Sequence, residues 1–150
     1  MRGPNLLSRV PLTKKATSLA IGVLIGASQP VTAQENADVQ RSTLSGVFTR
    51  DQANRGRDIY AGMCQSCHSA ASHTGVAFAN SWGGRRLSDF FAFVREKMPK
   101  NVPGSLSPED YSLVIAHILR LNGMPTGFDE LPADSIALRS IRIEVRQKAP

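Results

Sequence analysis

The sequence predicts a small all-α domain built on three main helices. Three observations lead there: three segments carry apolar residues at helical spacing, each opens on a residue that caps helices, and 150 residues suit one core rather than two. No internal repeat is visible. Three helices of this size make a thin core, and a large apolar group at its centre would fill it.

The opening segment stands apart from that domain. Arg2, Arg9, Lys14 and Lys15 precede the small, apolar run Ala16–Ala27, and Val31 and Ala33 supply small side chains ahead of Gln34. A basic start, a short apolar stretch and a small-residue site describe a secretory signal peptide over 1–33, cut after Ala33. The run is shorter than the ~20 residues a membrane span needs, so no stable span is expected once it is removed. The expected location is the periplasm. Four of the 18 basic residues leave with this segment, so the mature chain carries 14 against 12 acidic ones. That small excess excludes a nucleic-acid surface, which needs clustered basic charge on the folded domain.

Residues 34–46 are polar and read as a flexible leader. The first helix follows, with Thr49 as its cap and Gln52 completing a capping box. Ala53, Gly56, Tyr60, Met63 and Cys67 fall at helical spacing and form its inward face, so a cysteine motif ends this helix. Gly56 costs about 1 kcal/mol relative to Ala, which close approach of another helix would explain. Residues 69–84 are small and polar and read as loop. Ser88 is expected to cap the second helix, whose stripe is Leu87, Phe90, Phe91, Val94 and Met98. Pro99 places Met98 at or just past the helix end. The third helix has Ser107 as cap, Pro108 at its first position, Glu109 and Asp110 in its first turn, and Gly123 as its stop. In the tail, a short helix over Ser135–Leu138 and an extended "IRIEV" are expected. The domain is bounded at 47–125, with 126–150 as a C-terminal extension.

The chemistry lies in "CQSCH", Cys64 to His68. Two cysteines in an exported chain ordinarily suggest a disulfide, but a loop this small removes little unfolded-state entropy. A reactive thiol pair opens a helix after a strand, where the dipole lowers the thiol pKa; here the pair closes a helix. Structural zinc needs four ligands, and His68 follows Cys67 too closely to complete such a site. Covalent haem remains. Both thiols add across the porphyrin vinyl groups, and the adjacent histidine is carried under the iron as proximal ligand.

At these residues the chain resembles the class I cytochromes c, over about 46–125. "RGRDIYAGMCQSCH" is similar to that family's N-terminal helix, with Gly56 and Tyr60 packing across the C-terminal helix, "DYSLVIAHILRLNG". Residues 82–125, with "MP…PGSLS…DY…LNG", resemble more narrowly the small monohaem cytochromes and cytochrome domains that partner PQQ-dependent quinoprotein dehydrogenases. The resemblance implies one covalent haem c in a small bundle of three main helices. For the second axial ligand the residues leave Met98 and Met124, each followed by proline, since Met63 adjoins Cys64 and is read as packing. The resemblance puts the ligand at Met98. Trp82 and one of Arg85 and Arg86, taken as Arg85, suit the two haem carboxylates. His117 stands where the family carries an aromatic and is read as an interhelical packing residue; His73 is read as a solvated loop histidine. The family also has a proline in the loop after the motif, whose carbonyl accepts the proximal histidine's N–H. None occurs between His68 and Met98 here.

Two axial protein ligands leave no open position for a substrate, and methionine favours the reduced state. The expected function is single-electron transfer by a non-enzymatic carrier or by the electron-accepting subunit of a dehydrogenase. Its partners would be redox proteins, a quinoprotein dehydrogenase upstream and a terminal oxidase or another cytochrome downstream, meeting a haem edge rimmed by Ala70 and Ala71. The competing class is a haem enzyme or gas sensor with a displaceable sixth ligand.

Overall fold

The computed structural model describes residues 41–146. The expected signal peptide, 1–33, lies outside the described residues, as do 34–40 and 147–150. The described part is all-α, with one very small sheet. None of its helices is long and apolar enough to cross a membrane.

Helix α1, Arg50–Met63, begins where local chemistry predicts, with the Thr49 hydroxyl accepting the Gln52 N–H at 3.0 Å. The return half of the capping box is not what the Gln52 side chain does. It is buried, and its amide pairs with the Leu131 backbone in both directions, each bond 2.8 Å. Burial explains the change: an amide taken out of water needs a donor and an acceptor, and Leu131 offers both. Ala53, Gly56 and Tyr60 face inward as expected. A methyl group added to Gly56 would overlap the Leu113 carbonyl and sit 3.1 Å from the Val114 nitrogen. Helix α1 therefore meets a later helix almost backbone to backbone, and the glycine is a packing requirement. The inward face does not continue to Met63, which is 44% exposed, or to Cys67, also exposed. The chain turns at 64–67, with the amides of Cys67 and His68 both bonded to the Cys64 carbonyl, and that turn breaks the helical register.

The stretch expected to be loop holds helix α2, Gly75–Trp82, after a single 3-10 turn at Ala70–His73. Phe78 is buried against Phe90, and the first N–H of the helix is accepted by the Asn122 side chain at 3.0 Å. Thr74, the local cap position, contributes no side-chain bond. Helix α3, Leu87–Lys97, starts two residues earlier than a cap at Ser88 would place it. Arg86 is the cap position, in extended geometry and bridged to Arg142, while Ser88 is buried inside the helix. Leu87, Phe90, Phe91 and Val94 are buried, and Met98 sits just past the end, as expected.

Helix α4, Pro108–Leu121, is the one that crosses α1; Ser107 accepts the Asp110 N–H, and Gly123 ends the helix with φ 75°. Helix α5, Ser135–Leu138, is capped by Asp134. Strand β1, Arg41–Ser42, then pairs in parallel with β2, Ile141–Arg142. Thr43, fully buried, extends that clasp by bonding both the N–H and the carbonyl of Glu144. Leu131, Leu138, Ile141 and Ile143 all enter the core. The described parts of the expected leader, 41–46, and of the expected extension, 126–146, are therefore working parts of the domain. Their apolar residues complete a core that three helices alone leave thin.

Candidate functional site

The end of α1, helix α2, the end of α3 and the middle of α4 surround one cavity of about 1030 Å³. Cys64, Cys67, His68, Trp82, Arg85 and Met98 all line it. Its apolar wall includes Phe78, Phe90, Val94, Val114 and Ile118. Protein interiors pack like organic crystals, with few voids larger than a water. A space of this size in so small a domain is a binding chamber. Its donor set, two thiols and an imidazole at one turn, a thioether from α3 and an aromatic lining, fits a flat apolar macrocycle bearing a metal ion. The cavity's cations, Arg85 and Lys100, fit that group's carboxylates, and none of the lining side chains is acidic.

The local structure explains how each residue arrives. Cys64 closes α1 with its N–H on the Tyr60 carbonyl, and burial pushes its free thiol above the usual range. Cys67 and His68 follow on the turn described above. Met98 is held from two directions. Its N–H bonds the Val94 carbonyl at 2.9 Å, and its carbonyl accepts the Tyr111 hydroxyl at 2.7 Å. Tyr111 is a lock that sequence reasoning missed, since nothing local links it to Met98. Met124, the rival thioether, is buried in the core away from the cavity lining. Met63 stands at the cavity with 44% of its surface exposed, so it is a rim residue and not core filler.

The two arginines are separated by position. The Arg85 guanidinium lies 4.7 Å from the centre of the Trp82 ring, within cation–π range, and lines the cavity. Arg86 does not line it; its backbone forms the bridge to Arg142 and its side chain is exposed. Trp82 in turn stacks at a tilt on Phe90 and Phe93, with centroids 4.6 and 5.2 Å apart. Lys100 also escaped the sequence reading, since an isolated lysine after a proline carries no signal.

His73 is no solvated loop residue. Its ring stands 5.0 Å from that of His68, and its Nε2 is 2.6 Å from the Tyr60 hydroxyl. Ser72 gives its own proton to the Ser69 carbonyl, so at 3.1 Å it can only accept from His73 Nδ1. The Tyr60 hydroxyl, which also lies 3.5 Å from the His68 carbonyl, can accept the Tyr60-facing N–H of a charged ring or donate to Nε2 of a neutral one. Burial, aided by His68, lowers the pKa of His73 and favours the neutral ring. The Asn122 side chain bonds the His73 carbonyl as well as the first amide of α2, tying this loop to the end of α4. His117 has the packing role expected of it: it is buried, with its ring 5.2 Å from Tyr60. Ala70 and Ala71 are exposed on the 3-10 turn beside the motif.

No curated protein and no solved structure matches the chain. A family model does, described as cytochrome C oxidase, cbb3-type, subunit III, over residues 51–118. That span holds the two cysteines, His68, Met98 and the α1–α4 crossing. The cavity, its donor set and this match together identify residues 51–118 as a domain of the class I c-type cytochrome family, with a covalently bound c-type haem and electron transfer as its chemistry.

Proposed function

We propose that this protein is an exported, periplasmic carrier of single electrons, working alone or as the electron-accepting subunit of a dehydrogenase. One haem is tethered by Cys64 and Cys67 and ligated by His68 and Met98. The observation that carries this reading is convergence: two stretches of chain, 64–68 after α1 and Met98 after α3, bring these side chains to one cavity, while Met124 lies elsewhere in the core.

When bound, the haem supplies a metal centre that gains and loses one electron without making or breaking bonds to a substrate. The residues of the chain do the rest. His68 and Met98 would hold the iron and so keep substrates off it. Met98 would reach it from a backbone pinned at both N–H and carbonyl, which would keep the thioether in place. Arg85, braced on Trp82, and Lys100 would hold the haem carboxylates by charge-assisted hydrogen bonds. Tyr60, Ser72 and His73 brace the proximal side. The exposed turn at Ala70–Ala71 leaves room for a redox partner to approach, in the small, transient contact such exchanges use. The likeness of residues 82–125 to dehydrogenase-linked cytochromes supports a quinoprotein as electron donor.

Absorption spectroscopy tests the ligation. The oxidised protein should show a methionine–iron charge-transfer band that Met98→Ala abolishes and Met124→Ala leaves intact. Loss of the band in Met124→Ala instead would make the ligand assignment wrong. Rapid binding of carbon monoxide by the reduced parent at neutral pH would favour the haem-enzyme or gas-sensor reading. Haem staining of fractionated cells expressing the full chain tests export, with the signal expected in the periplasmic fraction; a cytoplasmic haem-stained band would overturn it.

A further inference from the structure

The segment Ile141–Val145 lies between two partners. One edge meets β1 and Thr43, as described. The other meets the loop Gly83–Arg86, which joins α2 to α3 and carries Arg85. There the Ile143 N–H donates to the Arg85 carbonyl and the Gly84 N–H donates to the Ile143 carbonyl, both at 2.8 Å. The Arg142 guanidinium adds a third bond, 2.6 Å to the Gly84 carbonyl. Ile141 and Ile143 anchor the segment in the core at 1% and 0% exposure. The loop needs such support. It holds two successive glycines, with Gly84 at φ 77°, and glycine has the widest choice of backbone conformations. Locally the Gly83 N–H donates to the Ala79 carbonyl and the Arg85 N–H to the Trp82 carbonyl; the Gly84 N–H and the carbonyls of Gly84 and Arg85 are bonded from Ile141–Val145.

We propose that Ile141–Val145 is a strap that fixes the backbone of Gly83–Arg86 and so positions the Arg85 guanidinium over Trp82 at the cavity. The inference rests on the reading of Arg85 as a partner of the haem carboxylates. Arg85 is the cation at the site, and the strap is the positioning element acting through it. A purely structural tail would stabilise the fold without touching the haem's electrostatics; this one sets them from the far end of the chain.

The test uses the full-length holoprotein. Ile143→Pro removes the donor to the Arg85 carbonyl, and Ile143→Val serves as the control. The amide exchange of Gly84 is read by NMR in the reduced protein, and the midpoint potential is measured for both variants and for Arg85→Gln. In Ile143→Pro the Gly84 amide should exchange about tenfold faster, as expected for loss of one hydrogen bond. The potential should fall in the same direction as in Arg85→Gln, because losing a nearby cation favours the oxidised centre. The double variant should fall no further than Arg85→Gln alone, and Ile143→Val should match the parent. An unchanged Gly84 amide, an unchanged potential in Ile143→Pro alone, or additive falls in the double variant would overturn the strap. If Ile143→Pro does not fold, Arg142→Ala keeps the buried isoleucines and is read the same way. If Arg85→Gln itself leaves the potential unmoved, the Arg85 reading fails. Gly84 exchange then decides alone whether the strap holds the loop.

Discussion

Gln52 separates a local reading from a tertiary one. If it served a capping box, its side chain would lie at the helix surface and Gln52→Glu would be harmless, since both residues close such boxes. In the structure Gln52 is 2% exposed; its Oε1 accepts the Leu131 N–H and its Nε2 donates to the Leu131 carbonyl. Glutamate keeps the first bond and turns the second into a clash of carboxylate against carbonyl. Replacement by Leu removes both. The Leu131 carbonyl would still be served by the Ser112 hydroxyl at 2.7 Å, so one buried group, the Leu131 N–H, is left without a partner. An orphaned buried donor costs roughly 1–3 kcal/mol, and losing the amide's own desolvation returns part of that. We expect Gln52→Leu to destabilise by about 2 kcal/mol, which lowers Tm by roughly 10 °C in a domain of this size. Gln52→Glu should cost at least as much at pH 7. Its carboxyl, buried and facing a carbonyl, has its pKa raised in the fold, so the deficit should shrink as pH falls and the acid protonates. Thermal unfolding followed by far-UV circular dichroism at pH 7 and pH 5 measures both variants. A Gln52→Glu protein as stable as the parent at pH 7 would refute the tertiary reading.

Two further outcomes follow from single contacts. Tyr111→Phe removes the donor to the Met98 carbonyl and should cost about 1 kcal/mol; it should also speed carbon monoxide binding by the reduced protein, because the Met98 backbone is freed at one end. Thermal unfolding and stopped-flow mixing check the two effects. His117 has its pKa lowered by burial first and then by Arg120 and Arg57, so the unfolded chain takes up its proton more readily. Stability should be full above the ordinary histidine pKa of about 6.5 and be lost as pH falls below it toward the folded value. His117→Phe should flatten that fall between pH 7 and pH 5 in denaturant titrations, leaving only what His73 contributes.

The sequence by itself determined whatever is encoded by neighbours along the chain. The pentapeptide that tethers the haem, the caps at Thr49 and Ser107, the stripe of α3, the stop at Gly123 and the proline that leaves Met98 at a helix end are all local patterns. Gly56 was legible for a related reason, since a glycine inside a helix asks for a partner. Tertiary structure decided the features whose partners lie far away. Helix α2 read as loop because its first N–H is capped by Asn122 and its one buried ring waits for Phe90. Gln52 was assigned to its own helix because nothing near it announces Leu131. Arg85 and Arg86 look alike until one is bridged to Arg142 and the other stands over Trp82. The tail read as an appendage because "IRIEV" shows alternation but not its target. Only folding lays it between Thr43 and Gly84, where unpaired backbone groups and a thin core both require it.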